Sequence, residues 1–123
     1  MEWVVEYTDE FEAWFDGLSS AEQESVAASL LLLRQTGPTL GYPHSSQIKG
    51  SRHGSMRELR IQHKGQPLRA LYAFDPRRAA IMLLGGNKKG DDRWYRRFVP
   101  RADDLFDEHL RSYELWLKTS IHC

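Results

Sequence analysis

Hydrophobic and polar positions change period several times along the chain, and each change marks an expected element. Trp3, Val5 and Tyr7 share one face at period two, which predicts a strand over Glu2–Tyr7. Thr8 or Asp9 can cap a short helix to about Asp16, where Gly17 breaks it. Ser19 with Glu22, or Ser20 with Gln23, offers a capping box in two registers. The helix so opened runs to about Gln35, carries Val26, Leu30 and Leu33 on one stripe, and stops at Gly37-Pro38. A polar stretch rich in Gly, Pro, Ser and His, from Thr39 to about Ser55, reads as a loop.

Three closely spaced strands are expected next. From Met56 to His63 the pattern alternates: Arg57, Leu59, Ile61 and His63 fall on one face, and Met56, Glu58, Arg60 and Gln62 on the other. Lys64-Gly65-Gln66 makes a tight turn. Leu68 to Phe74 then sets Leu68, Ala70, Tyr72 and Phe74 against Arg69 and Leu71. Asp75-Pro76 is a turn, because proline presets the second turn position. Ala79 to Leu84 is apolar throughout, as in a strand covered on both faces, and Gly85-Gly86 is expected to end it. Asp91 or Asp92 can cap a turn bearing Trp94 and Tyr95, and Pro100 suits the first position of a last helix. Along that helix Ala102, Leu105, Phe106, His109, Leu110, Tyr113 and Leu117 recur at helical spacing. The order βααβββα predicts an antiparallel sheet with two N-terminal helices and a C-terminal helix packed on one side. That is an α+β fold in a single domain over residues 1–123.

Composition changes this picture only in its charge. Apolar residues at 41%, charged residues at 28% and aromatics at 11% are those of an ordinary globular chain, which excludes wholesale disorder. The longest apolar run is too short to span a bilayer as a helix. No basic-then-apolar leader opens the chain, and the lone Cys123 permits neither an internal disulfide nor a cysteine cluster, so the expected compartment is the reducing cytoplasm. The 17 basic and 17 acidic side chains cancel, yet they are segregated. Residues 48–101 hold 14 Lys or Arg against four acids, a net of +10, and the remainder holds three against 13, a net of −10. Such a chain can focus positive potential on a polyanion, or its basic and acidic segments can face each other.

Four short segments bear on function: Gln47-Ile48-Lys49-Gly50, Met56-Arg57-Glu58-Leu59-Arg60, Leu68 to Phe74, and Leu83-Leu84-Gly85-Gly86-Asn87-Lys88-Lys89. In this order, each on its expected strand or strand end, they resemble the RelE/ParE toxin superfamily, and within it the HigB-like and phage Gp49-like branches. The resemblance covers roughly Lys49 to Asp107. It implies a RelE-like fold and a toxin of a type II toxin–antitoxin pair, an endoribonuclease that cuts messenger RNA on the ribosome and so blocks translation. It also implies a cognate antitoxin, often with a helix-turn-helix domain, for which a hydrophobic groove between the N-terminal helices and the sheet is the expected seat. ParE-like members instead poison DNA gyrase, and a phage-derived nucleic-acid-binding protein without catalysis is a third reading.

RNA cleavage by the neighbouring 2′-hydroxyl needs a group to take its proton, positive charge at the phosphorane and a proton for the 5′-oxygen. Fixed cations meet much of that need. The five histidines lack metal-ligand spacing, so no metal or other cofactor is expected. The resemblance points to Arg69, mid-strand, as the phosphate contact and to Lys89, after the two glycines, as a basic catalytic residue. Tyr95, six residues on, is expected to stack on a base and to serve as proton acceptor. Arg96 stands where HigB members carry a histidine, which makes His53 the alternative base. Lys49, Arg52, Arg57, Arg60, Lys88 and Arg93 are the expected RNA-backbone contacts.

Overall fold

In the computed structural model residues 2–121 are described; Met1 and the expectations touching His122 and Cys123 lie outside the described residues. The chain runs β1 (Val5–Tyr7), α1 (Asp9–Asp16), α2 (Ser20–Thr36), a 3-10 turn (Gly37–Thr39), β2 (Ser45–Gln47), β3 (Arg57–His63), β4 (Gln66–Phe74), β5 (Ala80–Asn87) and α3 (Trp94–Ile121). The strands form one sheet in the order β1-β5-β4-β3-β2. All neighbours are antiparallel except β1, which runs parallel to β5. The strand β2 is additional to the expected order. Its Ser-Ser-Gln sequence has no apolar alternation, and its place comes from edge pairing with β3, Ser45 opposite Leu59 and Gln47 opposite Arg57.

Local chemistry explains the element ends. Thr8 caps α1, its Oγ1 accepting from Phe11 N–H and donating to the Leu83 carbonyl at 2.6 Å, so one hydroxyl ties the helix to β5. Of the two capping-box registers the fold uses Ser19 with Glu22. Lys64 and Gly65 both take positive φ, 48° and 78°, the turn that matches strand twist in a two-residue hairpin.

Helices cover both faces of the sheet rather than one. On the first face α1 and α2 press Phe11, Val26, Leu30 and Leu33 onto Leu59, Ile61, Leu68, Ala70, Tyr72 and Met82. On the second, α3 lays Val99, Ala102, Leu105 and Phe106 onto Leu71, Ala73, Ile81 and Leu83. The unbroken apolar run of β5 requires this, since either of its faces would otherwise meet water. Beyond Leu110 the stripe of α3 leaves the core: Tyr113 is half-buried and Leu117 exposed.

Gly85 and Gly86 do not end β5; they lie within it. A Cβ on Gly85 would stand 2.3 Å from the ring of Trp14, and one on Gly86 would stand 2.7 Å from the indole nitrogen of Trp94. The two glycines therefore let one indole close on each face of the strand. Burial of Trp94 against Gly86 also moves the start of α3 six residues ahead of Pro100. Asp91 Oδ1 accepts from Arg93 N–H at 3.0 Å there, and Pro100 falls inside the helix.

Candidate active site

Alternation along β3 turns Glu58 and Arg60 toward the α3 face, and the register of β3 on β4 sets Arg60 opposite Arg69. The first turn of α3, anchored by Trp94, swings Tyr95 over the same patch. Glu58 stands at the centre. Its Oε1 accepts from the Tyr95 hydroxyl at 2.5 Å, and its Oε2 accepts from Ser46 Oγ at 2.7 Å. Arg69 Nε lies 3.3 Å from Oε1 and Arg60 Nη1 3.7 Å from Oε2. Both Glu58, 6% exposed, and Arg69, 4% exposed, are buried, which makes their mutual charge compensation obligatory. Arg69 Nη1 donates to the Leu68 carbonyl at 3.0 Å, whereas Nε, although close to Glu58, directs its hydrogen at no acceptor among the described residues.

Two aromatic rings carry cations at the margins of this group. Lys88 Nζ sits 5.7 Å from the centre of the Tyr95 ring, and the Arg60 guanidinium 5.3 Å from that of Tyr42. Burial first, and then the hydrogen bond to the Glu58 carboxylate, push the Tyr95 phenol up to about 12. At neutral pH Tyr95 is thus a donor, and the expectation of a proton acceptor there does not fit its surroundings. The acceptor beside it is Glu58, a residue not singled out from the sequence. An acid alternating with arginines on a strand reads as a solvated ion pair, and only the approach of Tyr95, 37 positions away, reveals the site.

The structure brings together Arg60, Arg69, Lys88 and Tyr95 of the expected residues and leaves others apart. Arg52 binds Asp104 at 3.2 Å and also Asp107, and His53 Nε2 meets Asp107 Oδ1 at 2.7 Å with its ring edge-on to Phe106. Both clamp the loop to α3 and touch neither Glu58 nor Tyr95. The spacing of Asp103, Asp104 and Asp107 on one helix was the available signal. Arg57 points to the opposite face, where Nε donates to Ser45 Oγ at 2.9 Å. Lys49, Lys89 and Arg93 have exposed side chains, with Lys89 one residue beyond Lys88. Part of the charge segregation is consumed internally, since Arg77 pairs with Glu6 and Arg101 with Glu10, each at 2.8 Å. Among the described residues no three His, Cys, Asp or Glu side chains are grouped to hold a metal ion, and no helix is long and apolar enough to cross a membrane. A cleft of about 400 Å³ does open between α1 and α2, lined by Tyr7, Phe11, Phe15, Leu30 and Leu31.

Comparison with known proteins bears on the family and the fold. The profile of the phage-derived Gp49-like protein family matches residues 13–107. The chain is 41% identical over 114 residues to the candidate toxin HigB2 of Mycobacterium tuberculosis, an alignment covering 91% of this chain and 56% of HigB2. It is 42% identical over 102 residues to the candidate toxin HigB3 of the same organism, covering 82% of this chain and 88% of HigB3. The chain therefore spans little more than half the length of one of these two relatives. Among solved structures, an arginine double mutant of E. coli RelE toxin in the free state superposes with a TM-score of 0.57 at 10% identity, covering 76% of this chain and 92% of that one. The E. coli RelBE toxin–antitoxin complex superposes with a TM-score of 0.55 at 9% identity, covering 68% and 94%. Likeness at such identities is one of fold. Profile and sequence relatives agree that the chain belongs to the Gp49-like family, in its HigB-like branch, and its fold is that of RelE.

Proposed function

We propose that the chain is the toxin of a toxin–antitoxin pair and an endoribonuclease that cleaves messenger RNA, with Glu58 as its general base. The observation that carries this reading is a buried carboxylate held by Tyr95 and Ser46 beside Arg69, Arg60 and Lys88. Glu58 accepts the proton of a 2′-hydroxyl, and the 2′-oxygen attacks phosphorus to give a 2′,3′-cyclic phosphate as the P–O5′ bond breaks. Arg60 and Lys88 face the developing phosphorane charge, and Lys89 returns a proton to the 5′-oxygen. Arg69 holds Glu58 in place. Tyr95 orients the base through its hydroxyl, and Lys49 and Arg93 track the RNA backbone.

The HigB relatives support the toxin reading and an antitoxin partner, and they lend nothing to a gyrase poison or a binding-only module. Action on the ribosome, a helix-turn-helix antitoxin and a cytoplasmic setting belong to the same proposal. The test is induction of wild type, Glu58→Gln, Arg60→Ala and Lys89→Ala in a bacterial host at matched levels of folded protein, with message ends mapped. Growth arrest with new message ends is expected for wild type, and a fall of about 10²- to 10⁴-fold for Glu58→Gln. Arrest with intact messages and broken DNA would restore the gyrase-poison reading.

A further inference from the structure

Of the rings that carry a cation among the described residues, Tyr42 differs from the rest. Trp3, Tyr95, Phe98 and Tyr113 are half-buried, whereas Tyr42 is 77% exposed. No apolar packing accounts for a large ring left in water at this point. Its place is nonetheless fixed from several sides. Arg60 N–H donates to the His44 carbonyl at 2.8 Å, and Ser45 N–H to the Gly41 carbonyl at 3.1 Å, so backbone bonds hold the short segment bearing Tyr42 along the edge of β3. Arg60 covers the ring at 5.3 Å and reaches Glu58 at 3.7 Å. Ser46, four residues after Tyr42, donates to the same oxygen of that carboxylate, Oε2, at 2.7 Å. An exposed aromatic plane is thus joined to the general base through one arginine.

We infer that Tyr42 is a base-stacking subsite: it receives the nucleobase beside the scissile phosphate, while Arg60 between ring and Glu58 meets that phosphate. The inference rests on the ribonuclease reading and names what that site recognises, an unpaired base next to the cleaved bond. A tyrosine face takes any base, but larger purines cover it best, so the subsite confers a purine preference at one position. Of the two cation–ring pairs, Arg60 with Tyr42 meets Oε2 of Glu58 and Lys88 with Tyr95 meets Oε1.

The test uses the whole chain in a bacterial translation extract programmed with a defined message, the cut sites being mapped by primer extension. Wild type, Tyr42→Phe and Tyr42→Ala are compared; the side chain is exposed, so both variants should fold, and circular dichroism verifies that they do. Tyr42→Phe should cut the wild-type set of sites at wild-type relative rates. Tyr42→Ala should lose about 10-fold at sites with a purine at one fixed position beside the cut, and markedly less at pyrimidine sites. A uniform loss at every site would mean that Tyr42 merely props Arg60, and would overturn the subsite while leaving the nuclease standing. Unchanged rates would overturn it equally. If wild type itself leaves the message intact, the ribonuclease reading falls and the subsite with it.

Discussion

Glu58 and Arg69 serve both stability and chemistry, and substitutions can separate the two. Arg69→Ala takes the buried cation from a carboxylate that is 6% exposed and leaves it the more distant Arg60, a loss of up to about 3–5 kcal/mol, the range for a broken buried pair. Replacing both members by apolar residues of similar volume, as in Glu58→Leu with Arg69→Met, removes that penalty. The double variant is expected to recover most of the urea midpoint lost by Arg69→Ala and none of the cleavage. A double variant that cleaved RNA would show that the pair is scaffold alone. Tyr95 makes a second case. With its phenol raised to about 12, first by burial and then by Glu58, it stays protonated through the neutral range. Tyr95→Phe should therefore keep far more activity than Glu58→Gln. In an alkaline absorbance titration it should remove one late ionisation near pH 12. A Tyr95 ionising at the ordinary value of 10 would refute the arrangement.

Among the elements β5 is the most constrained, because its two glycines carry an indole apiece on opposite faces. Gly85→Ala forces the Trp14 ring off β5 and Gly86→Ala forces Trp94 away; each is expected to cost about 1–3 kcal/mol, the range for overpacking a filled core. Thermal melts check the size. Activity discriminates the two, since only Gly86→Ala disturbs the turn that carries Tyr95, and equal activity in both would contradict the role given to Trp94. At this scale the sequence was legible wherever apolar period or capping chemistry was strong: α1, α2 and the β3–β4 hairpin fell where Thr8, Ser19 and Lys64-Gly65 implied. It failed at β2, which has no apolar pattern of its own, and at Pro100, where the anchoring of Trp94 overrode a helix-start preference. Arg69 and Tyr95 were singled out through resemblance, and both adjoin Glu58. Glu58 was passed over, and Arg52 and His53 were assigned to a site they do not adjoin, because partners 37 to 55 positions away decide what each does.

For the molecule as a whole, charge acts as fastening as well as bait. Away from Glu58, a second network joins three remote parts of the chain: Asp75 on the β4–β5 turn accepts from Arg77 Nε and His109 Nε2, each at 2.9 Å, while Arg77 also reaches Glu6. Burial alone would push the Asp75 carboxyl up; the hydrogen bonds from His109, Arg77 and Ala79 N–H outweigh it and hold the group below its ordinary 3.8. A depressed carboxyl contributes stability that is whole above the unfolded value and lost as pH falls through the native one. Wild type should accordingly lose urea resistance below about pH 4, and Asp75→Asn, weaker at neutral pH, should show a flatter acid limb. Parallel acid limbs would remove Asp75 from the account.

The glycine–indole contacts also give the molecule built-in optical reporters. Trp3 closes on Gly37 at the end of α2, Trp14 on Gly85 at the α1 face, and Trp94 on Gly86 at the α3 face, while Trp116 stands 60% exposed. Once Trp116 is replaced by Phe, the remaining indole emission comes from three seams of the fold. Removing these one at a time would let fluorescence tell which helix lifts from the sheet when RNA or an inhibitor protein arrives, with no dye attached.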